Sequence, residues 1–406
     1  MTIARTAPLS LARLLQPEVL ADPYPLYHEL RRRAPVLWDP YLHAFVVTGY
    51  DDVTTVLQSY SANRTHAPDK VNALGLGQLA PIAAVMVKQM LFLDPPAHQR
   101  TRRLASVAFT PRRVELLRDH IQEITDSIFQ RIQGRGEMDV MEDLANPLPS
   151  IVTAEMLGVP ASDHQQLRAW SRDFAEMLGN FQHNPGRLDR VLRSLEEMTA
   201  YFREAVDRQR GGTGAGLVNA LATAEVDGDR LSEDEVVANL IVIMVGGQEG
   251  TSILIGNGLL TLLRHPEQAD RLRADPSLIP AAVEELLRYE SPSQHTARLA
   301  PDDVELAGVP IQRQQAVIAV MGAANRDPAR FDEPDRFDLD RPDNRHLAFG
   351  WAAHYCFGAS LARLEAQVVF EALLGLEDLR LQPDPLVWRA NLGLRGLSAL
   401  NVAFSP

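Results

Sequence analysis

Apolar residues recur at intervals of three and four through most of the chain, the spacing of one helix face. The pattern predicts a helix from Asp22-Pro23 to Arg33, stopped by Pro35, and one over 52–58 with Asp51 as its N-cap. Pro111 opens a periodic segment running to about Ile132. The segments near 146–157, 162–179, 185–209 and 266–290 are helical by the same test. Strand patterns are fewer: Ala44 to Thr48, short pieces between Val304 and Ile318, and residues near 378–404. The expected fold is mainly α, helix-rich, with a small β portion near one edge. Neither a linker-like stretch nor an internal repeat divides it, so one domain over 1–406 is expected.

The longest helix has the clearest ends. Ser232-Glu233-Asp234-Glu235 fits a capping box, and Pro266 marks the stop. Between them the chain is apolar almost all round through Val236, Leu240, Ile241, Ile243 and Leu254 to Leu263, which calls for a central, buried position. At 1.5 Å per residue, some 32 residues span roughly 48 Å. Its middle breaks the pattern: Gly246-Gly247-Gln248-Glu249-Gly250-Thr251-Ser252. Each glycine costs about 1 kcal/mol relative to alanine, and a buried glutamate is unfavourable unless solvated or paired. Two readings fit this stretch: a locally kinked core helix, or one opened so that a flat ligand and water approach its backbone.

Charge narrows the class. Lys plus Arg total 40 against 53 Asp plus Glu, a net charge of −13, which argues against nucleic acid as a partner. No apolar run is read as approaching the roughly 20 residues that span a membrane, and Met1 to Pro17 lacks the form of a signal peptide. A single cysteine cannot form an internal disulfide and fits a reducing compartment. A cytoplasmic protein without a membrane partner is expected. The glycine-rich patch from Gly211 to Gly216 fails the dinucleotide pattern, because Leu217 stands where its last glycine should be.

The lone cysteine carries the candidate chemistry. Phe349-Gly350-Trp351-Ala352-Ala353-His354-Tyr355-Cys356-Phe357-Gly358 is turn-rich and leads into a helix beginning near Ala359. Unpaired N–H groups at a helix start favour a thiolate. Such a thiolate can be a nucleophile, a metal ligand or merely a small buried side chain.

The surrounding residues resemble the cytochrome P450 family, specifically its soluble bacterial members. The family's haem loop is matched at Phe349, Gly350, His354, Cys356 and Gly358. Glu285 and Arg288 match its Glu-x-x-Arg helix, and His98 and Arg102 its His-x-x-x-Arg helix. Asn325 to Pro328 and Phe331 to Arg341 are similar to the meander before the loop. The resemblance runs in order over essentially the whole chain. It implies haem b (iron protoporphyrin IX) with Cys356 as axial ligand, its basicity moderated by N–H groups near Phe357 and Gly358. It places Phe349 on the sulfur side and His98, Arg102, Arg298 and His354 on the propionates. Glu285 and Arg288 would form a buried structural pair, tying in Arg336 or a neighbour. Gly246 and Gly247 would leave room beside the haem, and Glu249 would relay protons.

Two departures stand out. Ala352 occupies a position where the family usually has glycine; if the backbone there needs positive φ, the cost is about 1 kcal/mol. Gly250 replaces the family's threonine, and Thr251 is turned about 100° away around the helix. The activity implied is a monooxygenase: one atom of O2 enters a bulky, largely apolar small molecule of secondary metabolism and the other leaves as water. Gly250 keeps atypical chemistry open, such as oxidative coupling, ring formation or peroxide use, and a non-catalytic haem protein is a further alternative. No reductase module follows the haem segment, so electrons are expected from ferredoxin and ferredoxin reductase. Their docking face is expected at Arg103, Arg112, Arg113 and Arg345, and the chain is expected to act as a monomer. The expected pocket runs over 62–91 (Leu74, Leu76, Leu79, Ile82, Met86, Met90), the helices at 162–209 (Met177, Leu178, Phe181, Met198), and Met244 to Gly250. Gln248, Gln294, His295, Asn391 and Leu392 complete it.

Overall fold

The computed structural model describes residues 9–108, 114–178, 185–209 and 216–405. Its axis is the helix Glu233–Arg264. Both halves of the capping box form: the Ser232 side chain accepts from the Glu235 N–H at 3.3 Å, and the Glu235 carboxylate accepts from the Ser232 N–H at 2.8 Å. Among the described residues this is the one helix long and apolar enough to cross a membrane, contrary to the reading of the apolar runs. It is mostly buried, because other helices enclose it: Pro147–Leu157, His164–Ala175, Pro185–Gln209 and Ala359–Leu374. A Cβ at Gly258 would stand 3.1 Å from Leu286 and collide with the Phe370 ring, so glycine here lets two helices approach the axis closely.

Two apolar clusters divide this helix between them. Val236 to Val245 pack with the helices around Phe174, Met198 and Phe202. Leu254 to Leu262 pack with Ile279–Tyr289 and Ala359–Leu374. The glycine-rich stretch Gly246 to Ser252 falls in the seam between the clusters.

A four-stranded sheet in the order Val36–Asp39, Ala44–Val47, Ala316–Ala319, Thr296–Leu299 forms the edge. The middle pair is parallel and the outer pairs antiparallel, with Arg298 opposite Val317. Val36–Asp39 and Thr296–Leu299 are not among the predicted strands. Near the C-terminus Val387–Trp388 pairs with Leu397–Ala399.

Other boundaries differ from the pattern. The segment 266–290 is two helices, Pro266–Ala274 and Ile279–Tyr289, separated by a short 3-10 turn. Asp275 is extended ahead of Pro276 and its carboxylate accepts from the Ser277 N–H at 3.1 Å, which ends one helix and caps the turn. Gly49, not Asp51, is the N-cap of Tyr50–Ser59; Asp51 lies in the first turn, where negative charge favours the helix dipole. Pro111, Arg112, Arg113, Phe181 and Gly211 to Ala215 lie outside the described residues.

Candidate active site

The loop before helix Ala359–Leu374 is built by two left-handed residues, Gly350 at φ 73° and Ala352 at φ 55°. The backbone at Ala352 thus has the conformation that favours glycine, and the chain accepts an L-residue there. The turn closes through the Cys356 N–H, which donates to the Phe349 carbonyl at 2.8 Å. Cys356 faces open space although it lies deep among its neighbours. Burial pushes its thiol pKa up, while the Gly358 N–H and the guanidinium groups of Arg102 and Arg363 pull the other way. Arg363 is anchored on Glu284 at 2.6 Å and stacks over Phe349 at 4.6 Å.

Beside the sulfur lies a cluster of arginine and histidine side chains. His98 is buried with neither ring nitrogen hydrogen-bonded, and its ring stacks on His354 with centroids 4.1 Å apart. Arg102 donates to the Tyr355 carbonyl at 2.6 Å. Arg298 is buried and, among the described residues, donates only to Thr296 Oγ1 and the Ala297 carbonyl, leaving its Nε unbonded. Arg64, which sequence reading missed, joins them: it stacks over Phe92 at 4.6 Å and donates to the Ala62 carbonyl at 3.2 Å. Asp94 holds this segment, accepting from the Ser61 hydroxyl and from the Ala62 N–H at 2.8 Å.

Crowding of like charge shows in the titration of the cluster. Burial and the Arg298 charge bring Arg64 down to about 9, and burial brings Arg298 down to about 10. Burial, then His98 and Arg298, depress His354 to about 3. None of these five side chains forms a salt bridge among the described residues, whereas Arg288, which like His98 and Arg298 is buried, has one. Guanidinium groups withdrawn from water without anions are unfavourable, and imidazole N–H groups can donate beside them, so the cluster fits a ligand bearing carboxylates. Together with an accessible sulfur donor, the residues present fit a haem with its two propionates.

The middle of the central helix offers a second exposed surface. A Cβ at Gly246 or Gly250 would meet nothing within 4 Å, so one face of the helix is bare backbone over open space. Gly247 is different: a Cβ there would press on Thr153 Oγ1 at 2.8 Å. Glu249 is nearly buried, with its Oε2 at 2.7 Å from Arg389 Nη2. Thr251 is buried.

Several expected pocket residues have their side chains committed elsewhere. Gln294 accepts from the Tyr27 hydroxyl at 2.9 Å, donates to the Ser291 carbonyl and packs against Gly322. Asn391 donates to the Ala175 carbonyl at 2.9 Å and accepts from the Gly393 and Leu394 N–H groups. Leu392 packs in the N-terminal apolar cluster with Tyr24 and Leu26. Met198 and Met244 are wholly buried in the core. His295 is buried against Leu392, and burial lowers its pKa to about 4. Gln248 lines a polar cavity with Glu142, Arg168 and Arg389. Leu74 and Leu76 are exposed.

Glu285 and Arg288 form the expected pair, with Arg288 Nη2 donating to Glu285 Oε1 at 2.7 Å and both side chains buried. The third partner is Arg341, at 3.1 Å from Glu285; Arg336 contributes only its carbonyl, its side chain pairing with Glu333. Of the arginines expected to face a redox partner, Arg103 pairs with Asp227 at 3.0 Å and Arg345 with Asp343 at 2.7 Å.

Comparison with known proteins places this site in a wider context. Residues 28–389 match the sequence profile described as Cytochrome P450. The chain is 39% identical to "Cytochrome P450 monooxygenase PikC" of Streptomyces venezuelae, over 99% of this chain and 95% of that protein. It is 36% identical to "6-deoxyerythronolide B hydroxylase" of Saccharopolyspora erythraea, over 94% and 96%. Among solved structures, P450BioI in complex with hexadec-9Z-enoic acid ligated acyl carrier protein superposes with a TM-score of 0.89 at 36% identity, covering 96% of this chain and 99% of that one.

Proposed function

The chain belongs to the cytochrome P450 family and is a monooxygenase with a haem cofactor, and from that premise we propose that it oxidises a bulky, largely apolar product of secondary metabolism which itself assists proton delivery. The carrying observation is the bare glycine face: Gly250, where the family has threonine, opens onto free space. Glycine there admits substrate close to the helix backbone. Haem b, held by Cys356, would supply O2 activation. His98, Arg102, Arg298 and His354 would neutralise and orient its propionates, and the two apolar clusters would exclude water. Glu249 would carry protons toward the glycine face, and a hydroxyl, carboxyl or ordered water of the substrate over Gly250 would receive them. Relatives named for polyketide biosynthesis and for 6-deoxyerythronolide B hydroxylation support the substrate class. We propose ferredoxin and its reductase as the electron source. With Arg103 and Arg345 already paired to acids of the chain, a docking partner would have to exchange with those acids.

The reduced, carbon-monoxide-bound protein is expected to show the far-shifted Soret band of thiolate ligation, lost in Cys356→Ser. A wild-type spectrum typical of histidine ligation rejects the assignment. Gly250→Thr is expected to obstruct native turnover while improving the coupling of NADH to product on a small surrogate. A rise in native turnover with less peroxide release would instead make Gly250 a handicap. Oxidative coupling or peroxide-driven chemistry would then be favoured.

A further inference from the structure

Glu284 and Glu285 are neighbours on helix Ile279–Tyr289, turned about 100° apart, and their carboxylates serve different partners. Glu285 holds Arg288 and Arg341, whereas Glu284 turns to the cysteine loop. The Glu284 carboxylate accepts from Arg363 Nε at 2.6 Å and from Arg363 Nη2 at 2.8 Å, a two-pronged pair, and lies 3.2 Å from His346 Nε2. The Ala348 N–H donates to His346 Nδ1 at 3.2 Å, so Nε2 carries the ring proton and donates it to Glu284. Glu284 thus joins the chain entering the cysteine loop to the helix that leaves it.

Arg363 stands at the start of the second turn of helix Ala359–Leu374. Its guanidinium lies over the Phe349 ring at 4.6 Å and donates to the Tyr355 hydroxyl at 3.1 Å. Those residues flank the cysteine: Tyr355 precedes it, and the Phe349 carbonyl accepts from its N–H. Burial works against charge on both members of the pair, yet the bonds from Arg363 and His346 bring the Glu284 carboxyl down to about 2, and Glu284 raises Arg363. Both are therefore ionised near neutral pH. Two guanidinium groups act on the sulfur, those of Arg102 and Arg363. Among the described residues Arg363 is paired with a carboxylate and Arg102 is not. A positive charge near a thiolate draws on its electrons and weakens its donation to a metal, and a carboxylate behind that charge cancels part of the pull.

We propose that Glu284 is a positioning residue of the Cys356 thiolate: it fixes Arg363 against the loop and offsets part of its charge, which sets how strongly the sulfur donates to the iron. This rests on the reading of Cys356 as haem ligand, and the test separates the two. Haem-loaded wild type, Glu284→Gln, Arg363→Gln, Arg363→Lys and the Glu284→Gln/Arg363→Gln pair are compared by redox titration of the haem. The Soret band of each reduced, carbon-monoxide-bound protein is recorded alongside. Glu284→Gln is expected to favour the ferrous state about fivefold, a rise of about 40 mV at about 59 mV per tenfold for one electron. Arg363→Gln is expected to shift by a similar amount in the opposite direction, Arg363→Lys to stay near wild type, and the double variant to return toward it. The thiolate Soret position is expected in all five proteins. Equal potentials in wild type and Glu284→Gln overturn the proposal, whether or not Arg363→Gln loads haem. Shifts of both single variants in one direction, with the thiolate band weakened, overturn it too and leave a clamp that only holds the loop's shape. A wild-type carbon-monoxide spectrum without the thiolate band removes the ligand reading itself.

Discussion

Glu365 is fully buried in helix Ala359–Leu374, and neither carboxyl oxygen finds a hydrogen-bond partner among the described residues. Burial raises its pKa well above the ordinary carboxylate range. The folded chain therefore keeps a proton that the unfolded chain releases above about pH 4.3, so this residue makes stability decline as pH rises from there toward the folded-state pKa. Glu365→Gln is expected to remove that decline. Thermal unfolding of the haem-loaded protein from about pH 6 to about pH 9 checks it, since wild type should lose ground to the variant at the alkaline end; parallel curves would contradict the argument. At this scale the sequence was legible where chemistry is local: Cys356, His354, Gly358 and the turn residues occur within one short stretch. It was not legible where partners come from afar. Gln294 finds its hydroxyl partner on Tyr27 and Asn391 its carbonyl on Ala175, pairings that no local pattern announces. Arg64 carried no signal, because only the Asp94 clasp brings it to the cluster.

Helix Ile279–Tyr289 shows what an element does beyond packing. Through Arg288 it donates to the carbonyls of Asn325, Pro334 and Arg336, and through Glu285 it receives Arg341, Asn344 and the Asp338 N–H. One buried ion pair thus ties the stretch leading to the cysteine loop onto the helix core. Removing one partner leaves the other charge buried, at about 3–5 kcal/mol. Glu285→Ala and Arg288→Ala are each expected to prevent haem incorporation, measured as the absorbance of purified protein. Soluble, fully loaded variants would show that the pair does not hold the loop. The long helix was readable because each of its ends is written locally, by the capping box at Ser232–Glu235 and by Pro266. The break at Asp275-Pro276 was missed because apolar periodicity resumes on its far side, and the four-residue strands because their partners, not their own pattern, make them strands.

Across the whole molecule, charge is sorted by depth. The chain bears a net charge of −13, yet its interior gathers Arg64, His98, Arg102, Arg298 and His354 around one space with no salt bridge among the described residues. The glycine face of the central helix borders open space, and the cysteine is exposed. The two features are expected to couple cofactor loading to stability. A dianionic ligand that relieves the internal repulsion binds the native chain far better than the denatured one, and mass action converts that preference into stability. Residues that never touch a substrate therefore govern how much working enzyme a cell holds at a given supply of haem. Chains without the cofactor are then expected to unfold at a lower temperature than loaded ones.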